Sequence, residues 1–124
     1  MTEIRIYVGL NDSQTMKQEH ETEKYVSVLQ QVCQAYRVPF SFTLSEGGYF
    51  HDDGTYTKEK SLVLSLIGAE RDIAREIAGD LCAFFHQESV LVTEGQVESW
   101  YVREEPLEPL QTENNGSGAP ESKG

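Results

Sequence analysis

The stretch that decides the fold is YFHDDGTYTKEKSLVLSLI, residues 49–67. Its Asp53-Gly54 pair is typical of a tight turn between antiparallel strands, because glycine readily adopts the positive φ that such a turn requires. The run SLVLSLI, residues 61–67, is almost continuously aliphatic, which indicates a central strand that is covered more fully than its neighbour. The stretch therefore predicts a hairpin whose second strand lies inside a sheet.

The segments before the hairpin are predicted to form a strand, a helix and a strand. EIRIYVGL, residues 3–10, alternates aliphatic with other side chains, which is the period of a half-buried strand. Apolar residues between 25 and 36 recur at the three-and-four spacing of one helix face, so we predict a helix over about residues 15–37. Pro39 ends this helix. Alternation resumes at Val38, and a second strand should follow directly.

The segments after the hairpin predict a second helix and a last strand. Acidic residues at the start of the helix, from Glu70, suit the positive end of a helix dipole. Its predicted core face comprises Ile73, Ile77, Leu81 and Phe84, with Ala74, Ala78 and Phe85 alongside. SVLV and QVESWYV, residues 89–92 and 96–102, then predict the final strand, with a possible interruption at Glu94-Gly95.

This order predicts an α+β fold of the ferredoxin-like βαββαβ type, a four-stranded antiparallel sheet with two helices on one face. The domain should cover residues 1–103. The acidic, proline-containing tail of residues 104–124 should be mostly disordered, because it has little apolar surface to bury. One sheet face stays uncovered, and aromatic residues there should contact a second copy of the chain or line a ligand groove. The aromatic residues that we expect on this face are Tyr7, Tyr49 and Trp100.

The charge of the chain narrows its partners. A formal net charge of −11, from 21 acidic and 10 basic residues, repels nucleic-acid phosphates and anionic membranes. We therefore expect no direct nucleic-acid or membrane binding, and partners that are neutral, cationic or protein.

The predicted location is cytoplasmic. No window contains the roughly 20 apolar residues that a membrane span requires, and the first ten residues lack the basic and apolar regions of a signal peptide. Cys33 and Cys82 each lie among apolar residues in a helical pattern, which favours two buried reduced thiols over a disulfide framework.

The familiar catalytic and cofactor motifs are not found in the sequence. His51, Asp52 and Asp53 are adjacent on a strand and turn, so their side chains do not converge on one metal ion. Gly47-Gly48 lacks the spacing of a phosphate-binding loop. Close neighbours on an extended segment, such as those between His86 and Ser89, point to opposite faces and do not form a catalytic relay. We expect no metal and no cofactor, and the catalytic residues are left unassigned.

Two polar clusters stand immediately before aliphatic strands and define a candidate site. They are KEKS, residues 58–61, and HQES, residues 86–89. The fold brings strand three through helix two to strand four, so the two clusters can lie near each other. An alternative is that Glu59 and Gln87 only satisfy backbone groups at the ends of elements. The candidate polar site comprises Tyr49, Glu59, Ser61, His86, Gln87, Glu88 and Ser89.

Two segments, residues 48–66 and 84–102, resemble the C-terminal half of a bacterial family of unknown function whose members are often small secreted or lipoprotein-like proteins. The resemblance covers roughly residues 47–102, and residues 1–10 are similar to the opening strand of the family. The stretch just before the hairpin departs from the family pattern. The resemblance supports the fold and the candidate residues and implies no particular activity. It rests on Gly48-Tyr49 before the turn glycine Gly54, on Glu59 and Ser61 as an acid-x-Ser motif, and on QESVL at residues 87–91.

Three functions are consistent with these features. The leading hypothesis is a small cytoplasmic binding or regulatory module that forms a homodimer through its open sheet face. The second is a small-molecule enzyme that uses a carboxylate, Glu59 or Glu88, or else His86, as its acid or base. The third is an acidic inhibitor that mimics nucleic acid and binds a basic protein.

Overall fold

The computed structural model describes residues 1–104 as a strand, a helix, two strands, a helix and a strand. This order confirms the predicted βαββαβ pattern. The predicted domain of residues 1–103 lies within the described part, whereas the predicted disordered tail lies, beyond Glu104, outside the described residues. The elements are β1 (Thr2–Gly9), α1 (Thr22–Tyr36), β2 (Ser41–Phe50), β3 (Tyr56–Ile67), α2 (Arg71–Phe84) and β4 (Leu91–Gln96).

The four strands form one antiparallel sheet in the order β2-β3-β1-β4, which is the ferredoxin-like arrangement. As predicted, β3 is an inner strand and pairs with β2 on one side and β1 on the other. Buried residues alternate along β1 and β3 and join residues of both helices in a single core. The opposite face, called the open face below, carries no helix within residues 1–104. Its register places Tyr7, Val63, Ile67 and Leu91 on that side.

The core confirms most of the predicted helix face. Phe85 is buried, and its ring packs edge-on against Tyr25 with the ring centroids 5.0 Å apart. The prediction that Phe84 joins the core is wrong, because its side chain is 60% exposed. The buried stripe that includes Ile77 and Leu81 continues four residues later at Phe85, so Phe84 points away from the sheet.

The first helix is shorter than predicted. α1 begins at Thr22 rather than near residue 15, because the preceding residues form a compact turn around Asp12. The carboxylate of Asp12 accepts hydrogen bonds from the backbone N–H groups of Gln14 (2.7 Å) and Thr15 (3.2 Å). Met16 has a positive φ of 64°, which is incompatible with a continuing helix.

Helix α1 ends with a residue other than glycine in the left-handed conformation. Arg37, with φ 59°, donates its backbone N–H to the carbonyl of Gln34, and Val38 donates to Cys33. This is the Schellman arrangement, which satisfies the last carbonyls of the helix. It also uses Val38 as part of the helix end, so β2 starts at Ser41 and not directly after the helix as predicted.

The hairpin confirms the predicted antiparallel pairing of β2 and β3. Its last paired residues are Phe50 and Tyr56, so the turn is longer than the two residues of the tightest hairpins. Gly54 has the expected positive φ, at 90°. The carboxylate of Asp53 accepts a hydrogen bond from the backbone N–H of Thr55.

The last strand is a single element that runs through Glu94-Gly95 without the possible interruption and stops at Gln96. The predicted continuation into residues 97–102 is wrong. Gln96 pairs with Thr2, the first residue of β1, so β1 has no further residues for a longer strand to pair with. Trp100, which we expected on the open face, therefore lies beyond the sheet and is exposed.

Neither helix within residues 1–104 has the length and apolar character needed to cross a membrane. Both cysteines are free thiols, with Cys33 buried and Cys82 half-buried. Burial raises the pKa of the Cys33 thiol to about 11, so this thiol is protonated at neutral pH.

Candidate functional site

A cavity of about 190 Å³ lies at the end of β1, and five of the seven predicted site residues line it. The hairpin contributes Tyr49 and Glu59, and the connection between α2 and β4 contributes Gln87, Glu88 and Ser89. The β1–α1 loop forms the remaining wall with Asn11, Asp12, Ser13 and Met16. The two polar clusters of the sequence thus meet, as the proposed topology suggested.

The backbone of Asn11 joins the two clusters. Its N–H donates to Oε2 of Glu59 at 3.1 Å, and its carbonyl accepts a hydrogen bond from Nε2 of Gln87 at 2.6 Å. Glu59 and Gln87 therefore satisfy backbone groups, as the alternative interpretation expected, while they also line the cavity. Oε1 of Glu59 and Oε1 of Gln87 accept no hydrogen bond from residues 1–104.

Gly9 allows this close approach. A Cβ atom at this position would lie 2.7 Å from Cδ of Glu59 and 3.1 Å from Oε1 of Gln87. A carbon–carbon contact of 2.7 Å is too short, so a side chain at position 9 would displace the Glu59 carboxylate. Glycine leaves room for this carboxylate next to the backbone of β1. The end of β1 is thus shaped to accept the Glu59 side chain.

The C-terminal end of α2 positions Gln87. His86 adopts φ 55°, and its N–H donates to the carbonyl of Ala83 at 3.2 Å. Gln87 donates its own N–H to Cys82 at 2.9 Å, and the Cys82 thiol donates to the carbonyl of Gln87 at 3.1 Å. These bonds fix the backbone on both sides of Gln87, and its side chain is directed at Asn11.

Asp12 and His86 connect the loop wall to α2. Oδ2 of Asp12 lies 2.9 Å from Nδ1 of His86, and the N–H of Ser13 donates to the carbonyl of His86, also at 2.9 Å. The backbone hydrogen bond from Gln14, and then the contact with His86, hold the pKa of Asp12 below its usual value. Asp12 is therefore a carboxylate at neutral pH.

Two predicted site residues stand apart from the cavity. Ser61 lies on the open face opposite Gly9 in the register, two residues from Glu59, and does not line the cavity. His86 faces Asp12 outside it. No serine, histidine and acid relay is formed at this site.

The cavity is rich in hydrogen-bond acceptors. Neither Glu59 nor Glu88 has a basic side chain within 4 Å among residues 1–104. No ion pair within residues 1–104 therefore involves either carboxylate. Such a lining favours a ligand that carries positive charge or several hydrogen-bond donors.

A larger hollow of about 540 Å³ lies against the same hairpin and shares Asn11 and Glu59 with this cavity. Lys58 and Lys60 line it, and by strand alternation they point to the face opposite Glu59. This larger hollow therefore contains both acidic and basic side chains around an exposed part of the hairpin. The smaller cavity is the candidate site because it gathers side chains from three separate segments.

Within the described part of the chain, no three histidine, cysteine or acidic residues are grouped as ligands of a metal ion. In the hairpin, the carboxylate of Asp53 accepts a hydrogen bond from the N–H of Thr55 within the turn. Nε2 of His51 lies 2.8 Å from Oγ1 of Thr57.

The sequence did not identify Asn11, Asp12, Ser13 and Met16 as site residues. Their segment follows Gly9 and has the composition of a turn. This composition indicated a loop but did not indicate that the loop packs against the hairpin and the end of α2. The position of the loop depends on hydrogen bonds to distant residues, among them the N–H of Asn11 to Glu59 and the N–H of Ser13 to the carbonyl of His86.

No protein-family model matches the chain, and no curated protein matches it. The resemblance to a bacterial family therefore stays a prediction. Solved structures with the same fold include a phage SAM lyase in complex with S-methyl-5′-thioadenosine, at 22% identity and a TM-score of 0.59 over 77% of this chain and 80% of that one. The phage SAM lyase in its apo state has a TM-score of 0.56 at 22% identity and covers 81% and 91%.

CutA1 from Pyrococcus horikoshii also shares the fold, with a TM-score of 0.50 at 16% identity over 79% of this chain and 86% of that one. At these identities the likeness establishes the ferredoxin-like fold alone.

Proposed function

We propose that this protein is a small ligand-binding module whose cavity takes a cationic metabolite of the S-adenosylmethionine class. The observation that supports this most directly is the convergence of Glu59, Glu88 and the Tyr49 ring on one cavity. Two carboxylates that have no ion-pair partner within residues 1–104 attract a sulfonium or ammonium group, and an aromatic ring face adds a cation–π contact. The net charge of −11 favours the approach of a cation.

The phage structure supports the choice of ligand. That protein has the same fold and is a SAM lyase solved with S-methyl-5′-thioadenosine. S-adenosylmethionine carries a permanent sulfonium charge and an ammonium group, both of which match an acceptor-rich lining. The proposal rests on this chemical match together with the geometry of the present cavity.

The module is a homo-oligomer in this proposal, and its partner copy covers the open face. A cavity of about 190 Å³ is smaller than the roughly 300 Å³ of typical small-molecule sites. Tyr49 and Glu59 lie on the open-face side of the hairpin, as does Gly9 at the end of β1. A second copy on that face would enclose the cavity and exclude water from it.

The proposal is tested by isothermal titration calorimetry with S-adenosylmethionine and with the neutral compound S-methyl-5′-thioadenosine. We expect the wild type to bind S-adenosylmethionine. Glu59→Gln and Glu88→Gln should each weaken this binding by about tenfold, which is the loss of one charge contact of about 1.4 kcal/mol. The neutral compound should be affected less, because it lacks the sulfonium charge.

The matched control is Glu98→Gln, which removes the same charge from an exposed residue near the other end of β1. It should leave affinity unchanged. Failure of the wild type to bind S-adenosylmethionine, or equal losses in all three variants, would contradict a site at this cavity.

A second candidate function is elimination from S-adenosylmethionine, in which Glu59 removes a proton from the β-carbon of the aminobutyrate chain. The electron pair of that C–H bond forms a carbon–carbon double bond, the bond between the γ-carbon and sulfur breaks, and S-methyl-5′-thioadenosine leaves together with an unsaturated amino acid. This reaction is favoured by a carboxylate, Glu59, that is held in place by Asn11 and still has one oxygen free toward the cavity. Chromatography of S-adenosylmethionine incubated with the protein measures the released product. Product formation by the wild type that is lost in Glu59→Gln would establish the enzyme, and tight binding without product would leave a binding module.

A further inference from the structure

Nine residues line the candidate cavity, and seven of them are polar. The two with large apolar groups are Met16, from the β1–α1 loop, and Tyr49, from the hairpin. Both side chains are partly exposed, Met16 at 47% and Tyr49 at 39%, and so are available to a ligand. The apolar part of the lining therefore comes from two elements that are distant in sequence and meet only at this cavity.

Met16 is held in an unfavourable backbone conformation. Its φ of 64° is in the left-handed region, which is less favourable for a residue with a side chain than for glycine. The loop enforces this conformation, because the N–H of Met16 donates to the carbonyl of Asp12 at 2.8 Å. The carboxylate of Asp12 also accepts hydrogen bonds from the N–H groups of Gln14 and Thr15. Glycine would satisfy the same backbone, so the side chain of Met16 is not needed by the loop.

We propose that Met16 and Tyr49 contact a flat aromatic ring of the ligand, so that this site selects a purine-bearing cation over other cations. The proposal rests on the proposed function of the same cavity and names the part of the ligand that the apolar lining recognises. A thioether packs favourably on an aromatic ring, and a tyrosine ring stacks on it. The carboxylates Glu59 and Glu88 bind the charged part of the same ligand.

Three ligands distinguish recognition of the purine ring from recognition of the positive charge. S-adenosylmethionine has both the purine and the cation, S-methyl-5′-thioadenosine has only the purine, and S-methylmethionine has only the sulfonium cation. Calorimetric titration with Met16→Gly should show affinity for the two purine compounds lowered by about fivefold. Affinity for S-methylmethionine should be unchanged. Met16→Leu, which keeps an apolar side chain, should retain most of the affinity.

The same variant has an opposite effect on stability. Removal of the left-handed strain should raise the thermal unfolding midpoint of Met16→Gly by about 4 °C. The matched control is Arg37→Gly, which relieves the same kind of strain at the end of α1, away from every residue of the cavity. It should raise the midpoint similarly and leave all three affinities unchanged. A gain in stability with a selective loss of purine binding distinguishes a recognition role from a structural one.

The outcomes separate this inference from the proposed function. If the wild type binds S-methylmethionine as tightly as the purine compounds, or if Met16→Gly lowers all three affinities equally, the purine assignment is wrong while the cation site stands. Unchanged affinities in Met16→Gly would likewise overturn it. If the wild type binds none of the three ligands, the proposed function fails and this inference fails with it.

Discussion

Gly9 is the single residue on which the geometry of the site depends most directly. It ends β1 at the point where Glu59 crosses from β3 to reach the N–H of Asn11. The carboxylate occupies the volume that a side chain at this position would fill. The space that glycine leaves is therefore used by a charged group that lines the cavity.

Gly9→Ala should displace the Glu59 side chain and break its bond to Asn11. A hydrogen bond to a charged group contributes about 1.5 kcal/mol, so we expect the free energy of unfolding to fall by about that amount in urea denaturation. The control is Gly95→Ala in β4, where a Cβ atom meets nothing within 4 Å. That variant should be neutral or slightly stabilising, because alanine restricts the unfolded chain. Equal stability of the two variants would show that Glu59 relaxes without cost.

Part of the site could be predicted at the level of residues. Glu59 and Gln87 were identified because each precedes an aliphatic strand, and the predicted topology can bring the starts of these two strands near each other. Phe84 and Phe85 were both assigned to the core, and only the actual end of α2 decides that Phe85 is inside. Met16 carries no sequence feature that marks it, because its position depends on a left-handed turn.

At the level of elements, the β1–α1 loop is ordered by the Asp12 carboxylate. One oxygen accepts two backbone N–H groups within the loop, and the other contacts His86 at the end of α2. The loop wall of the cavity is thus tied to the helix that also presents Gln87. Changes in the charge of Asp12 should affect the loop and the stability of the domain together.

The pKa of Asp12 is lowered in the folded protein, which gives stability a defined dependence on pH. A lowered folded-state pKa means that the carboxylate stabilises the fold fully above its unfolded-state value, near 3.8, and that this contribution is lost as the pH falls through the folded-state value. Asp12→Asn should therefore be less stable than the wild type at neutral pH. The two should converge at a pH below both values.

Urea denaturation from neutral to acidic pH measures this convergence. The control is Asp52→Asn, at an exposed position in the hairpin turn. Its stability should track that of the wild type. A difference between Asp12→Asn and the wild type that stays constant down to strongly acidic pH would argue against an ionised contact.

The elements differed in how far their sequence determined them. The hairpin and the strands β1 and β3 follow from local alternation and from the turn at Gly54, so they were predicted well. The start of α1 was not, because residues 15–21 are compatible with a helix and only the turn around Asp12 excludes it. The end of β4 depends on where its partner strand β1 begins, and this pairing is a tertiary contact that the local sequence does not encode.

At the scale of the whole molecule, the open face is a sheet surface that no helix of residues 1–104 covers. Its inner strands present Tyr7 and Val63, and Leu91 on β4 is 61% exposed. Polar residues such as Arg5 and Thr93 lie between them, which is the mixed composition of a reversible protein interface. The candidate cavity opens at one end of this face. Association and ligand binding should therefore be coupled, since a ligand enclosed by two copies favours the assembled state.

The last prediction tests this coupling. The wild type should have a mass larger than that of one 124-residue chain in sedimentation or light-scattering measurements. Leu91→Glu should shift it toward the monomer, because a charge buried in an interface without a partner is costly. The same variant should bind S-adenosylmethionine more weakly, although Leu91 does not line the cavity.

The matched control is Phe84→Glu, which places the same charge at an equally exposed apolar residue, 60% exposed, on the helix side of the molecule. It should change neither the mass nor the affinity. A monomeric wild type at every concentration, or equal effects of the two variants, would contradict assembly through the open face. If Leu91→Glu dissociates the protein and its affinity for S-adenosylmethionine is unaltered, the cavity is complete within one chain, and the open face serves assembly alone.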